Sequence, residues 1–139
     1  MKLQKLTPNF MVEDIRKTVK FYSDVLGFKL EMAVPENKSG IENELNENKD
    51  YIYAMMSRDN VEVMFQRTDS LGEDVPPLKG MPPGASVSFY IEVADINTIY
   101  KETKLKTELV KELETAWYGM QEFYIKDCNG YLLGFAERK

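Results

Sequence analysis

The apolar positions change period along the chain, and the changes mark its elements. Near the start, Pro8, Phe10 and Val12 alternate with Thr7, Asn9 and Met11, the two-residue rhythm of a strand with one dry face. Asp14 follows as an N-cap residue. Ile15, Val19, Tyr22 and Leu26 then fall on one helical stripe that Gly27 closes. Three strands are predicted next, "FKLEMAV" from Phe28, "YIYAMMS" from Tyr51 and "VEVMFQR" from Val61, the last two paired as a hairpin across Arg58-Asp59-Asn60.

The same order returns in the second half. Val87, Phe89, Ile91 and Val93 alternate with Ser86, Ser88, Tyr90 and Glu92, Asp95 caps a helix carrying Ile96, Ile99 and Tyr100, and strands recur around "TELVKE", "MQEFYIK" and "YLLGFAE". Val12-Glu13-Asp14-Ile15 matches Val93-Ala94-Asp95-Ile96. The pattern is a βαβββ unit written twice, an α+β domain of two repeats at about residues 1–67 and 85–139. The polar, acid-rich stretch 35–50 reads as a mobile loop, either a solvated excursion or a flap over a site. The proline-rich stretch 68–84 reads as the linker between repeats.

Composition narrows the chemistry. A chain of 139 residues has room for one compact domain or two small halves. No apolar run reaches the roughly 20 residues that span a bilayer, and the first ten residues lack the apolar core of a signal peptide, so no membrane association and a cytoplasmic location are the expectations. The net charge of -5 argues against nucleic acid as a partner and tolerates cationic small molecules. The single cysteine, Cys128, forms no internal disulfide. With no histidine anywhere, every imidazole-dependent mechanism is excluded, and any catalysis falls to carboxylates, Lys, Tyr, Cys or backbone donors.

The stretches "FMVEDIRKTVKFYSDVLGF" and "WYGMQEFYIKDCNGYLLGFAE" together resemble the vicinal oxygen chelate superfamily, the glyoxalase, bleomycin-resistance and ring-cleaving dioxygenase group. The resemblance spans nearly the whole chain. It implies that each repeat forms a cup-shaped mixed sheet with its helix on the convex side, that two such units enclose a cavity, and that the protein is a homodimer. Metal-using relatives hold a divalent ion with one residue early in the first strand and one in the last strand of each repeat. By that resemblance the four positions fall on Thr7, Glu62 or Met64, Ser88 and Gly134, which supply at most one carboxylate. No metal and no other cofactor is therefore expected.

Alternation places Asn9, Tyr90, Glu92 and Glu122 on the faces turned away from the helices. Tyr53 and Met55 share one face of their strand, with Glu62 and Met64 nearby, an adaptable wall suited to planar or irregular ligands. By the same resemblance Trp117 is expected at the mouth of the cavity, Ser88 at a corner of it and Gly134 at its floor, where a missing side chain leaves room. Two functions follow. One is a metal-free binding protein of the bleomycin-resistance, drug-sequestering type, or a binder of some endogenous metabolite, taking a cationic or planar aromatic small molecule. The other is a glyoxalase-I-like lyase or another enzyme of the superfamily.

Overall fold

A computed structural model describes all of residues 1–139. The chain divides into two compact units, Met1–Pro83 and Gly84–Lys139. The first contains strands β1 (Asn9–Val12), β2 (Lys29–Pro35), β3 (Tyr51–Arg58) and β4 (Val61–Arg67), with helices α1 (Ile15–Asp24) and α2 (Thr68–Asp74). The second contains β5 (Ser88–Glu92), α3 (Ile96–Lys104), β6 (Leu109–Thr115), β7 (Met120–Lys126) and β8 (Leu132–Arg138). The sheets run β1-β4-β3-β2 and β5-β8-β7-β6, each with its first strand parallel to its last and the other pairs antiparallel. The repeat read from the sequence is thus present in topology as well as in order. No helix is long and apolar enough to cross a membrane.

Each helix buries its stripe against one face of its own sheet. Ile15, Val19, Tyr22 and Leu26 of the first helical stripe are all buried, and Tyr22 lies against Phe10, Phe28 and Phe65 at centroid separations of 4.7 to 6.4 Å. In the second unit Ile96 is buried, while Tyr100 packs edge-on to Phe123, which stacks on Phe135. Burying an aliphatic or aromatic side chain of this size stabilises a fold by about 1.5–3 kcal/mol, so these clusters carry much of each unit's stability. The opposite face, the open face, carries no helix in the second unit, and in the first it lies away from α1 with Gln66 reaching α2.

The helix ends are tied by side chains. Asp14 caps α1 by accepting from the Lys17 backbone N–H at 3.0 Å. At its far end Gly27 takes φ 68°, and the Arg58 guanidinium donates to the Leu26 carbonyl at 2.7 Å. Asp95 also caps its helix, accepting from Thr98, but does so from the left-handed region at φ 84°. A second carboxylate meets the same end, since Glu137 on β8 accepts from the backbone N–H of both Asp95 and Ile96, at 3.1 and 3.0 Å. These bonds fill donors that a helix start otherwise leaves open.

Two stretches differ from expectation. Residues 35–50 do not form a loose excursion, because Arg16 donates to the carbonyls of Asn46 and Lys49, and Glu42 binds both Lys49 and the Tyr51 hydroxyl. An antiparallel bridge joins Ala33 to Glu42 as well. Of the stretch expected as a linker, residues 68–74 are helix α2, anchored by buried Leu71 and by Gln66, which donates to Ser70 and Asp74. Both ties run between residues that sequence periodicity does not connect.

Replacing Glu137 by Ala removes two charge-assisted bonds from the start of α3. Urea denaturation is expected to show a loss of about 1–2 kcal/mol, and Glu137→Gln, which retains an acceptor, a smaller one.

Candidate functional site

Strand register decides which residues share an open face. In the second unit Tyr90 on β5 stands opposite Gly134 on β8, which stands opposite Tyr124 on β7. The next row is Glu92, Ala136 and Glu122. Phe123, Ile125 and Phe135 have the opposite parity, on the side of α3, where Phe123 meets Tyr100. Tyr90, Glu122 and Gly134, singled out from sequence, are therefore neighbours on one surface.

Glu122 is the centre of this group. It is only 3% exposed, yet it carries a carboxylate on a face with no helix over it. Tyrosines bury it. The Tyr118 hydroxyl donates to the carboxylate, 2.7 Å from each oxygen, and the Tyr90 hydroxyl donates to Oε2. Gly119, at φ 91°, makes the turn that returns Tyr118 over the start of β7. The carboxylate bond raises both phenols, with burial adding to it. Tyr118 moves from the ordinary 10.0 to about 12, and Tyr90 moves in the same direction. Both phenols stay neutral donors across the physiological range.

The room expected at Gly134 is taken. A Cβ built there would lie 2.5 Å from Cε2 and 2.8 Å from Cζ of Tyr124, far inside contact distance, so the ring rests on the glycine backbone itself. Gly134 is a seat for Tyr124 rather than an empty floor. Trp117 stands outside this group at 95% exposure and touches it through Tyr118, edge-to-face at a centroid separation of 5.3 Å. Ser88 and Glu92 are exposed on the same open face. Tyr118 and Tyr124 were missing from the sequence-derived set.

The first unit's open face has a different character. Asn9, Met64, Met55 and Met32 form one row, and Met11, Gln66, Tyr53 and Val34 the next. The Asn9 amide donates to the Gln66 side-chain oxygen at 2.9 Å. Burial, with the Glu62 carboxylate second, raises the Tyr53 phenol. Glu62 itself is held by Lys5 at 2.6 Å. The register resolves the choice between Glu62 and Met64: Asn9 faces Met64 as its repeat counterpart Tyr90 faces Gly134, so Met64 is the counterpart of Gly134. Two clefts in this unit, of about 350 and 300 Å³, lie elsewhere, one lined by residues 41–46 and one by Arg16, Lys49, Tyr51, Arg67 and their neighbours. Neither includes a residue of the sequence-derived set.

The family model for the Glyoxalase/Bleomycin resistance protein/Dioxygenase superfamily matches residues 6–135, and the chain belongs to that superfamily. No curated protein matches it significantly in sequence. Among solved structures it is similar to a protein of unknown function from Agrobacterium tumefaciens str. C58, with TM-score 0.73 and 20% identity over 100% of this chain and 97% of that one. TioX from Micromonospora sp. ML1 gives TM-score 0.69 and 16% identity over 98% and 99% of the two chains. A glyoxalase/bleomycin resistance protein/dioxygenase from Nocardioides gives 0.72 and 15% over 99% and 85%. These likenesses define the glyoxalase/bleomycin resistance fold.

The divalent ion used by part of this superfamily does not fit the residues present. Thr7 and Ser88 offer neutral hydroxyls, Met64 a thioether, Gly134 nothing, and Glu62 is already ion-paired. No group of three or more His, Cys, Asp or Glu side chains is placed to hold a metal ion.

Two outcomes test this geometry. Gly134→Ala is expected to cost about 1–3 kcal/mol in denaturant titration, and in a Tyr124→Ala background to cost much less, the non-additivity marking the contact. Because Tyr118 has its proton held more tightly in the folded than in the unfolded chain, its contribution to stability is complete below pH 10 and declines as pH rises toward 12. Tyr118→Phe is expected to remove that part of the alkaline decline in thermal melts followed across this window.

Proposed function

We propose that the chain is a metal-free small-molecule binding protein, in the manner of the bleomycin-resistance members of its superfamily. The observation that carries this reading is the exchange made at the family's metal corners. Donors are absent there, and the second unit's open face instead presents aromatic rings gathered over a hydrogen-bonded carboxylate. Half-exposed Tyr90 and Tyr118 and the fully exposed Trp117 offer flat apolar area with polar edges, which suits a planar aromatic or a cationic ligand. Asn9, Tyr53, Met55 and Met64 offer a second, softer surface on the first unit. The expected working form is a cytoplasmic homodimer.

A glyoxalase-I-like lyase activity has less support. It requires a Lewis acid to hold an enediolate, for which the donor set is lacking, together with a free carboxylate base. Glu122 is the one deeply buried carboxylate on an open face, and both its oxygens already accept phenol hydrogens.

The test is a metal analysis of purified protein combined with thermal melts against planar aromatic and cationic compounds. The expected outcome is no stoichiometric divalent ion and a raised melting temperature with at least one compound, since a ligand of the native state alone must stabilise it. A stoichiometric ion, or isomerisation of a hemithioacetal, would overturn the proposal.

A further inference from the structure

The geometry points to an organic cation of the quaternary-ammonium class as the ligand of the second unit's open face, seated against the rings of Tyr90, Tyr118 and Trp117 with the Glu122 carboxylate beneath it. This rests on the binding reading above and narrows it to one charge and one shape.

Three observations carry it. First, Glu122 is buried without a cation. Its hydrogen-bond donors are two phenols, and none of the chain's ion pairs includes it. Burying a carboxylate is costly unless it is compensated, and phenol dipoles compensate only part of a full charge. The other charged groups on this face offset the deficit only in part. Lys111 is bound to Glu114 at 3.0 Å and reaches Glu122 as a through-space attraction, and Glu92, in the row of Glu122 across Ala136, is a further negative charge. Arg138, opposite Met120, stands in the row adjoining Glu122 without an ion pair to it, and Lys126, opposite Leu132, lies at the far end of the face.

Second, the rings form a corner. Trp117 and Tyr118 meet at 86°, giving two nearly perpendicular aromatic walls, and Tyr90 is brought to the same carboxylate as Tyr118. Cations bind the negative faces of such rings, most strongly that of Trp. An indole left 95% exposed while packed on a tyrosine is an apolar surface prepared for contact.

Third, burial selects the kind of cation. Glu122 is 3% exposed beneath two phenols, so a primary ammonium on the ring faces would lose water without a carboxylate oxygen within reach of its N–H groups. A quaternary ammonium has no donors to satisfy. It needs only ring faces and a negative field.

The experiment uses the full chain, with Trp117, its only tryptophan, as fluorescent reporter. Choline is titrated beside its neutral isostere, in which carbon replaces the quaternary nitrogen, and beside ethanolamine. Choline is expected to bind about tenfold tighter than either, a margin within the reach of cation–π and buried-charge attraction. Glu122→Gln is expected to narrow the margin between choline and the isostere several-fold, and an unchanged margin in a folded variant overturns the role of the carboxylate. Should that variant fail to fold, Tyr118→Leu, at a half-exposed position, is expected to weaken choline about tenfold with the fold intact by circular dichroism. Equal binding of choline and the isostere to the unmodified chain, or no choline binding, overturns the inference. Neutral planar aromatics that still raise the melting temperature would leave the broader binding reading standing, so the two can fail separately.

Discussion

The ring of Tyr124 lying on the backbone of Gly134 is the contact on which the second unit's open face depends. A central strand that gives up a side chain exposes its backbone and forfeits packing, and a cross-strand aromatic is the usual way to recover both. Here the recovery has a further effect. With Tyr124 lying flat across β8, the space beside it accommodates Tyr90 from the neighbouring strand, and both stand in the row adjoining Glu122. Any side chain at 134 would displace the ring from this seat, in the row next to Glu122. The raised phenol of Tyr118 is the electrostatic sign of the same arrangement, because a phenol that shares its proton with a buried carboxylate releases it reluctantly.

Much of the fold was legible because the two periodicities it relies on are local. All eight strands and the two longer helices follow from alternation, helical stripes and capping residues, and Val61–Arg67 and Met120–Lys126 fall where they were read. What failed was non-local. Loop 35–50 is held by Arg16 from α1, and α2 by Gln66 from β4, in each case a polar side chain reaching a partner that pattern does not reveal. Asp95 was read correctly as a cap, but its left-handed backbone depends on Glu137 arriving from the last strand.

The site was legible to the extent that register was. Parity turned Tyr90 and Glu122 away from the helices and the family resemblance set Gly134 with them, and the strand register makes the three neighbours. Gly134 was misread as open room, because the face a residue lies on does not reveal which neighbouring side chain fills the space above it. Asp127 accepts from the backbone of Asn129 and Tyr131, the turn sets Gly134 opposite Tyr124, and the Tyr124 ring takes the space. The superfamily's shared fold gives no guidance here, since function on a common scaffold resides in what occupies its corners.

The two repeats show what was exchanged. Aligning the helix caps sets Asn9, Met64 and Met55 against Tyr90, Gly134 and Tyr124, and Met11, Gln66 and Tyr53 against Glu92, Ala136 and Glu122. In the first unit the bulk stands on the closing strand β4, as Met64 and Gln66, and Gln66 is spent binding α2 and Asn9. In the second unit the closing strand β8 is reduced to Gly and Ala, and the bulk moves to its neighbours as Tyr, Tyr and Glu. The volume over the row is redistributed rather than lost, as close packing requires. Stripping β8 leaves Gly134 without a side chain and admits the Tyr124 ring over it. One pair of small residues on β8 therefore goes with the aromatic surface gathered beside it.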